Sequence, residues 1–420
     1  MKFKNTTIKL MKFFLKDFNE FCDYRNSETQ KSMDTILTII YNDIKLSNIY
    51  VETTCKQPII EQIIKEIHLV DDIPKTHLLN SKLVPSNIRN YINHMSVGYF
   101  KASIFVSSIK VNIYFLMFDA AEFNNIKIIE KKMRQAVKII RFCYSYAKNI
   151  SMESMDLFLY LTHFGKELPK NKLAVLGDIH SRSAVSVSCQ KKSELLLFRN
   201  EEWKKVLINE LFHCLCLDFS GLNYKKLRDE IKNIFDVKSK FDLSEAYTEF
   251  WSTLINSCMI SYNLLEDKND IETFFLYSEF CIQFEKIFSL YQCVKILNYM
   301  GLGYSNLYKT DQLSKSLRKL LYKDNGNVFS YYIIKLILLY NSDQFMEWCL
   351  VNNTTLIAFD KSPLTYKRFG NFIKNNYNKT DFLSKIRKIE GIFYKINKNY
   401  AYPAKNMIAK TSRMTICELD

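Results

Sequence analysis

Hydrophobic and polar positions change period along this chain, and the changes divide it. Residues 7–23 carry Ile8, Leu10, Met11, Phe14, Leu15, Phe18 and Phe21 at helical spacing, with lysines on the other side. The pattern predicts an amphipathic helix that docks on a domain surface. Residues 33–46 and 58–68 read as further helices. From residue 97 to 118 the character shifts. Tyr99, Phe100, Ile104, Phe105, Val106, Ile109, Val111, Ile113, Tyr114 and Phe115 are β-branched or aromatic, with Ser107 and Ser108 in the middle. Two strands joined near those serines are expected. Residues 125–148 return to helical spacing. Residues 155–162 (M-D-L-F-L-Y-L-T) read as a strand, Pro169 and Gly177 punctuate a loop, and residues 183–188 are small and β-branched. Residues 193–199 (S-E-L-L-L-F-R) read as a further strand. Asn200 is then expected to cap a helix over 201–217, with Glu201 and Glu202 in its first turn. Residues 244–263 form the next helix, with Ser244 as its expected cap. Beyond residue 264 the chain reads as almost wholly helical, over 271–298, 311–322, 328–340 and 343–351.

The order strand, strand, helix, strand, strand, helix predicts an α+β fold in which helices pack on a mixed sheet. Three regions are expected: a helical region over 1–96, an α+β core over 97–263 and a helical domain over 264–420. With 9 Gly and 6 Pro in 420 residues, long helices run uninterrupted and a many-turned all-β architecture is disfavoured. The hydrophobic share of 48% and charged share of 25% are those of a globular protein, so disorder does not dominate.

Net charge is +15, which would favour anionic partners. It admits nucleic acid, with the lysine-rich stretches 315–323 and 385–398 as carriers. The chain shows no nucleic-acid module or compact basic run, and a lysine-rich surface from AT-rich coding is the preferred account of the charge. The 11 cysteines are scattered without a C-x-x-C, which argues against a disulfide framework and for reduced thiols in a cytosol-like compartment. No signal peptide is read at residues 1–23, where lysines break the apolar stretches. The apolar run 328–340 is too short to span a bilayer and contains Lys335, so no transmembrane segment is expected. Phosphate-loop, dinucleotide and nucleophile-elbow motifs are absent.

One pentapeptide carries chemistry. Asn209, Glu210, Leu211, Phe212 and His213 read N-E-L-F-H, one substitution from H-E-x-x-H. In that motif two histidines one helical turn apart bind zinc, and the glutamate takes a proton from metal-bound water. Downstream, residues 244–249 read S-E-A-Y-T-E. Together the two stretches resemble the thermolysin-like (gluzincin) branch of the zincin metallopeptidases, over roughly residues 155–261. The resemblance implies Glu210 as the catalytic base, His213 and Glu245 as metal ligands, and Glu249 as a carboxylate that orients the first ligand. That ligand position holds Asn209, whose neutral amide is a poor zinc donor. Cys216, His180 and Cys189 are the replacement ligands within reach in sequence. The same stretches also look like an uncharacterised peptidase-like family of large DNA viruses, which would place the protein in host cytoplasm or virion.

The resemblance further implies that Leu195, Leu196 and Leu197 form the sheet edge that pairs with extended substrate. The expectation is a zincin-like protein without catalysis, acting in binding or structure, with zinc absent or weakly held and an extended peptide or protein as partner. An active zinc peptidase with a substitute ligand and a basic scaffold- or nucleic-acid-binding protein are the alternatives.

Overall fold

A computed structural model describes residues 2–22, 25–54, 61–123, 125–148, 151–398 and 405–420. It has an α+β fold, with one mixed six-stranded sheet and a helical C-terminal region. The chain forms two compact units, and neither is continuous. One comprises Ile40–Lys166 and Arg182–Ser220 and holds the sheet; the other comprises Met1–Ile39, Glu167–Ser181 and Gly221–Asp420 and is helical. The division cuts across the three consecutive regions expected from the pattern.

In the sheet unit the strands are β1 (Glu61–Glu66), β2 (Gly98–Val106), β3 (Ile109–Met117), β4 (Ser154–Thr162), β5 (Ala184–Ser186) and β6 (Lys192–Arg199), in spatial order β1-β2-β3-β4-β6-β5. The β2–β3 hairpin turns at Ser107 and Ser108, as its run of β-branched residues predicts; Ser107 takes a left-handed φ of 55°. Parallel pairing joins β3 to β4 and β4 to β6, and β5 closes the sheet antiparallel to β6. Side chains alternate across the sheet. Leu116, Phe158, Tyr160, Val185, Leu196 and Phe198 face a buried cluster with Ile88 and Ile92 of α1 (Ser86–Met95). Leu157, Leu159, Leu195 and Leu197 point the other way and are also fully buried. Helices α2 (Ile126–Ser145) and α3 (Trp203–Cys214) pack on one another; α2 also meets β2, and α3 meets β5 and β6.

Three local expectations are overturned in the sheet unit. Residues 61–66 of the expected helix 58–68 form β1, paired with β2 from Glu61 opposite Ser103 to Glu66 opposite Gly98; residues 58–60 lie outside the described residues. Pairing to a ready strand outweighs local helix propensity in a short polar segment. Asn200 does not cap α3. Its N–H goes to the Thr162 carbonyl, and the cap position belongs to Glu202, in a left-handed conformation at φ 60°. Leu195, Leu196 and Leu197 are not an edge, because β6 is bonded to β4 on one side and β5 on the other; the terminal strand on that side is β5.

In the helical unit, α4 (Leu243–Leu264) and α5 (Ile271–Tyr299) are buried along most of their length on every side. That is the position of central helices. Asp242, not Ser244, caps α4 by accepting from the Ser244 N–H at 2.9 Å. Residues 328–340 fold as the predicted buried helix, opening as a π-helical turn (Phe329–Ile334) and continuing as α6 (Lys335–Tyr340). No helix among the described residues is long and apolar enough to cross a membrane.

Lys295, on α5, is fully buried and donates to the Ile408 carbonyl at 2.7 Å and to that of Thr411. Burial drives its ammonium well below the ordinary lysine range. The unfolded chain holds this proton up to about pH 10.4, and the folded chain releases it earlier. The Lys295 contribution to stability therefore rises with pH between its lowered pKa and about 10.4. Lys295→Met is expected to remove that rise. Urea unfolding of both proteins across the alkaline range checks it, and equal slopes would contradict it.

Candidate functional site

The N-E-L-F-H stretch lies on α3 as predicted, and 11 of the 12 residues of that helix are buried. Asn209, Glu210 and His213 are 6%, 7% and 7% exposed. Spacings of three and four put all three on neighbouring positions of one helical side.

The end of α3 sets the orientation of His213. Leu217 N–H bonds to the Phe212 carbonyl at 2.9 Å, and Cys216 between them takes φ 55°. This is a Schellman-type reversal with cysteine in the position glycine usually fills. It returns the chain so that the Asp218 carboxylate meets His213 Nδ1 at 2.7 Å. Ser220 Oγ donates to the other Asp218 oxygen at 3.0 Å. A carboxylate accepts, so Nδ1 carries a proton in this pair. Metal-binding histidines are oriented in this way by carboxylates. The sequence marks Asp218, just past the helix, as part of the resemblance but does not show it as the partner of His213. Its signal is a carboxylate just past the helix, and it acts only through the reversal at Cys216.

Glu210, in the position of the base, accepts from Ser186 Oγ at 2.6 Å. Ser186 is the last residue of β5, so the terminal strand and α3 are clasped through this pair. The turn between β5 and β6 is fastened to the same helix end. Cys189 and Cys216 are joined by a disulfide, Cys189 Sγ lies 3.7 Å from the His213 carbonyl, and Cys214 Sγ donates to the Val187 carbonyl at 3.4 Å. Burial, first, and then the charge of Glu210 push the Cys214 thiol up, so it stays protonated. Reduced thiols were expected throughout; the Cys189–Cys216 bond is a departure, and it makes both sulfurs unsuitable as replacement ligands. Of the other proposed substitute, His180, the Nδ1 accepts from the Gly177 N–H at 3.1 Å in the helical unit.

Glu245 and Glu249 lie on α4 and so belong to the helical unit, whereas Asn209, Glu210 and His213 belong to the sheet unit. Glu245 is half-buried and accepts from Tyr331 OH at 3.1 Å. Glu249 is 4% exposed, and its main-chain carbonyl accepts from Ser252 and Thr253 hydroxyls. Asp242, at the start of α4, has its carboxyl pushed up by burial and by the charge of Glu245.

A catalytic zinc requires three protein donors of imidazole, thiolate or carboxylate type around one point. On α3 the first ligand position holds an amide and the glutamate is engaged by Ser186. Among the described residues, no group of three or more His, Cys, Asp or Glu side chains is placed to hold a metal ion. Of the motif's two ligand positions, only that of His213 holds a donor of this kind. Comparisons with protein-family models, curated proteins and solved structures found no match.

Proposed function

We propose that this protein is a zincin-like scaffold without peptidase activity, serving as a binding or structural protein. The reading rests on Asn209, which occupies the first ligand position one turn before a histidine otherwise oriented for ligation. Two further contacts support it. Glu210 is bonded to Ser186 of β5 rather than held open for a metal-bound water, and the Cys189–Cys216 bond ties the β5–β6 turn to the end of α3. A sheet that ends in an antiparallel strand is compatible with an extended peptide as partner.

Metal content of the purified protein after dialysis is the direct test. Substoichiometric zinc is expected, and zinc retained at one equivalent would sink the proposal. Asn209→His places a second imidazole one turn from His213. It is expected to raise zinc affinity by roughly a hundredfold or more, since even indirect contacts to a metal site carry 10–100-fold effects. Competition with a chromogenic chelator reads it, and an unchanged affinity would show that α3 does not carry a vestigial site.

One observation favours a second reading, an active zinc peptidase with Glu210 as base. His213 Nδ1 is bonded to the Asp218 carboxylate, as in histidines that bind metal. That reading predicts chelator-sensitive peptide cleavage that Glu210→Gln abolishes.

A further inference from the structure

The face of α5 that carries Glu285, Ser289, Gln292 and Lys295 is a polar stripe at spacings of four, three and three, inside the core of the helical unit. All four side chains are at most 5% exposed. Such a stripe is costly to bury unless its groups are bonded. Most of its partners are main-chain groups of residues 408–417. Glu285 Oε1 accepts from the Ile416 and Cys417 N–H groups, both at 3.0 Å, and from the Thr415 hydroxyl. Gln292 Nε2 donates to the Arg413 carbonyl at 2.5 Å, and Lys295 Nζ to those of Ile408 and Thr411. Ser289 accepts from Lys335 Nζ, which also donates to the Met414 carbonyl at 3.2 Å.

Other elements of the unit complete the set. Asn256 of α4 donates to the Cys417 carbonyl at 3.1 Å, Tyr332 to that of Ser412, and Thr7 to that of Ile416 at 2.8 Å. Residues 411–420 are neither helix nor strand apart from isolated bridges, yet Thr411 to Cys417 are all buried. The helices thus read this segment largely through its backbone, as peptide-binding grooves read extended ligands. The fit is not saturated: Glu285 Oε2 and Gln292 Oε1 are buried and accept no hydrogen bond from the described residues.

We propose that the helical unit is a receptor for an extended peptide, and that residues 411–420 are its resident ligand, exchangeable for the same segment of a second copy. Occupancy also fixes the excursion Glu167–Ser181. Thr411 bridges Glu167, Leu168 N–H bonds to the Lys410 carbonyl at 2.8 Å, and Ser412 Oγ bonds to the His180 carbonyl. The inference rests on the helical unit alone and stands or falls separately from the peptidase question.

The test uses the full chain with a site-specific protease sequence placed between residues 400 and 405 and cut after folding. The fragment from residue 405 to 420 is expected to stay bound on size exclusion, and to be replaced by a fluorescent synthetic peptide of the same sequence in moderate urea. The same peptide with Ile416→Pro lacks one N–H that Glu285 accepts. It is expected to compete at least about tenfold more weakly. Hydrogen exchange over residues 167–181 should rise while the channel is empty. Immediate loss of the fragment with the fold intact overturns the proposal. So does a proline peptide that competes equally, and so does a fragment that never exchanges below the unfolding midpoint, since it would then be an inseparable part of the core.

Discussion

Glu202→Ala is expected to lower stability by about 3–5 kcal/mol, the cost of breaking a buried ion pair by removing one partner. Glu202 pairs with Lys166 in the sheet unit, and the two side chains are 0% and 1% exposed. Neither charge has water to fall back on. The surrounding bonds leave little room for relaxation: Glu201 accepts from the Lys166 N–H at 2.7 Å, and Arg199 donates to the carbonyls of Arg182, Phe164 and Gly165. Burial lowers the Arg199 guanidinium to about 10, against the opposing charges of Glu201 and Glu202. Removing Glu202 takes away part of that support as well. Lys166→Met combined with Glu202→Ala is expected to recover much of the loss, because no orphaned charge remains. Urea unfolding of the single and double variants measures both, and a loss under about 1 kcal/mol for Glu202→Ala would show the pair to be hydrated.

Gly326→Ala is expected to cost about 3 kcal/mol, the upper end for overpacking a tight contact. A Cβ there would sit 2.7 Å from the Gly177 carbonyl carbon and 2.8 Å from the Asp178 nitrogen. Both are main-chain atoms, so no side chain can swing aside. The approach is fixed from both strands of chain: Asn325 N–H bonds to the Leu176 carbonyl at 2.9 Å, and Ser181 Oγ bonds to the Gly326 carbonyl at 3.3 Å. Asp324 holds the other half of the turn by accepting from Gly326, Val328 and Phe329 N–H groups. Thermal unfolding reads the effect; a variant within 1 kcal/mol of the parent would mean that the turn slides on the excursion.

The strands β2 and β3 were legible as runs of β-branched and aromatic residues, and β4 and β6 as short leucine-rich apolar runs. β1 was not, since four of its six residues are polar and only its pairing with β2 makes it a strand. β5 has three residues, too few to show a period, and this hid the true edge behind β6. The α3 motif was visible as a pattern, but the partners of Glu210 and His213 were not. Ser186 reaches Glu210 only because β5 folds outside β6, and Asp218 reaches His213 only through a left-handed cysteine that carries no glycine signature. The stripe Glu285, Ser289, Gln292, Lys295 could be counted off the sequence, yet its meaning lies more than a hundred residues downstream.

The chain crosses between its two units four times. No residue beyond Ser220 belongs to the sheet unit, but the helical unit joins Lys4 and Thr7 to Glu418, 414 and 411 residues apart. On a ribosome the sheet can therefore close while most of the helices are still being made. The N-terminal helix Asn5–Leu15 has to wait for α5, whose Phe288 and Tyr291 pack on Phe14, and then for residue 418 before all its contacts are made, and closing such long loops is the slow kind of search. In that interval its apolar side is uncovered, which marks the nascent chain as a client for chaperones.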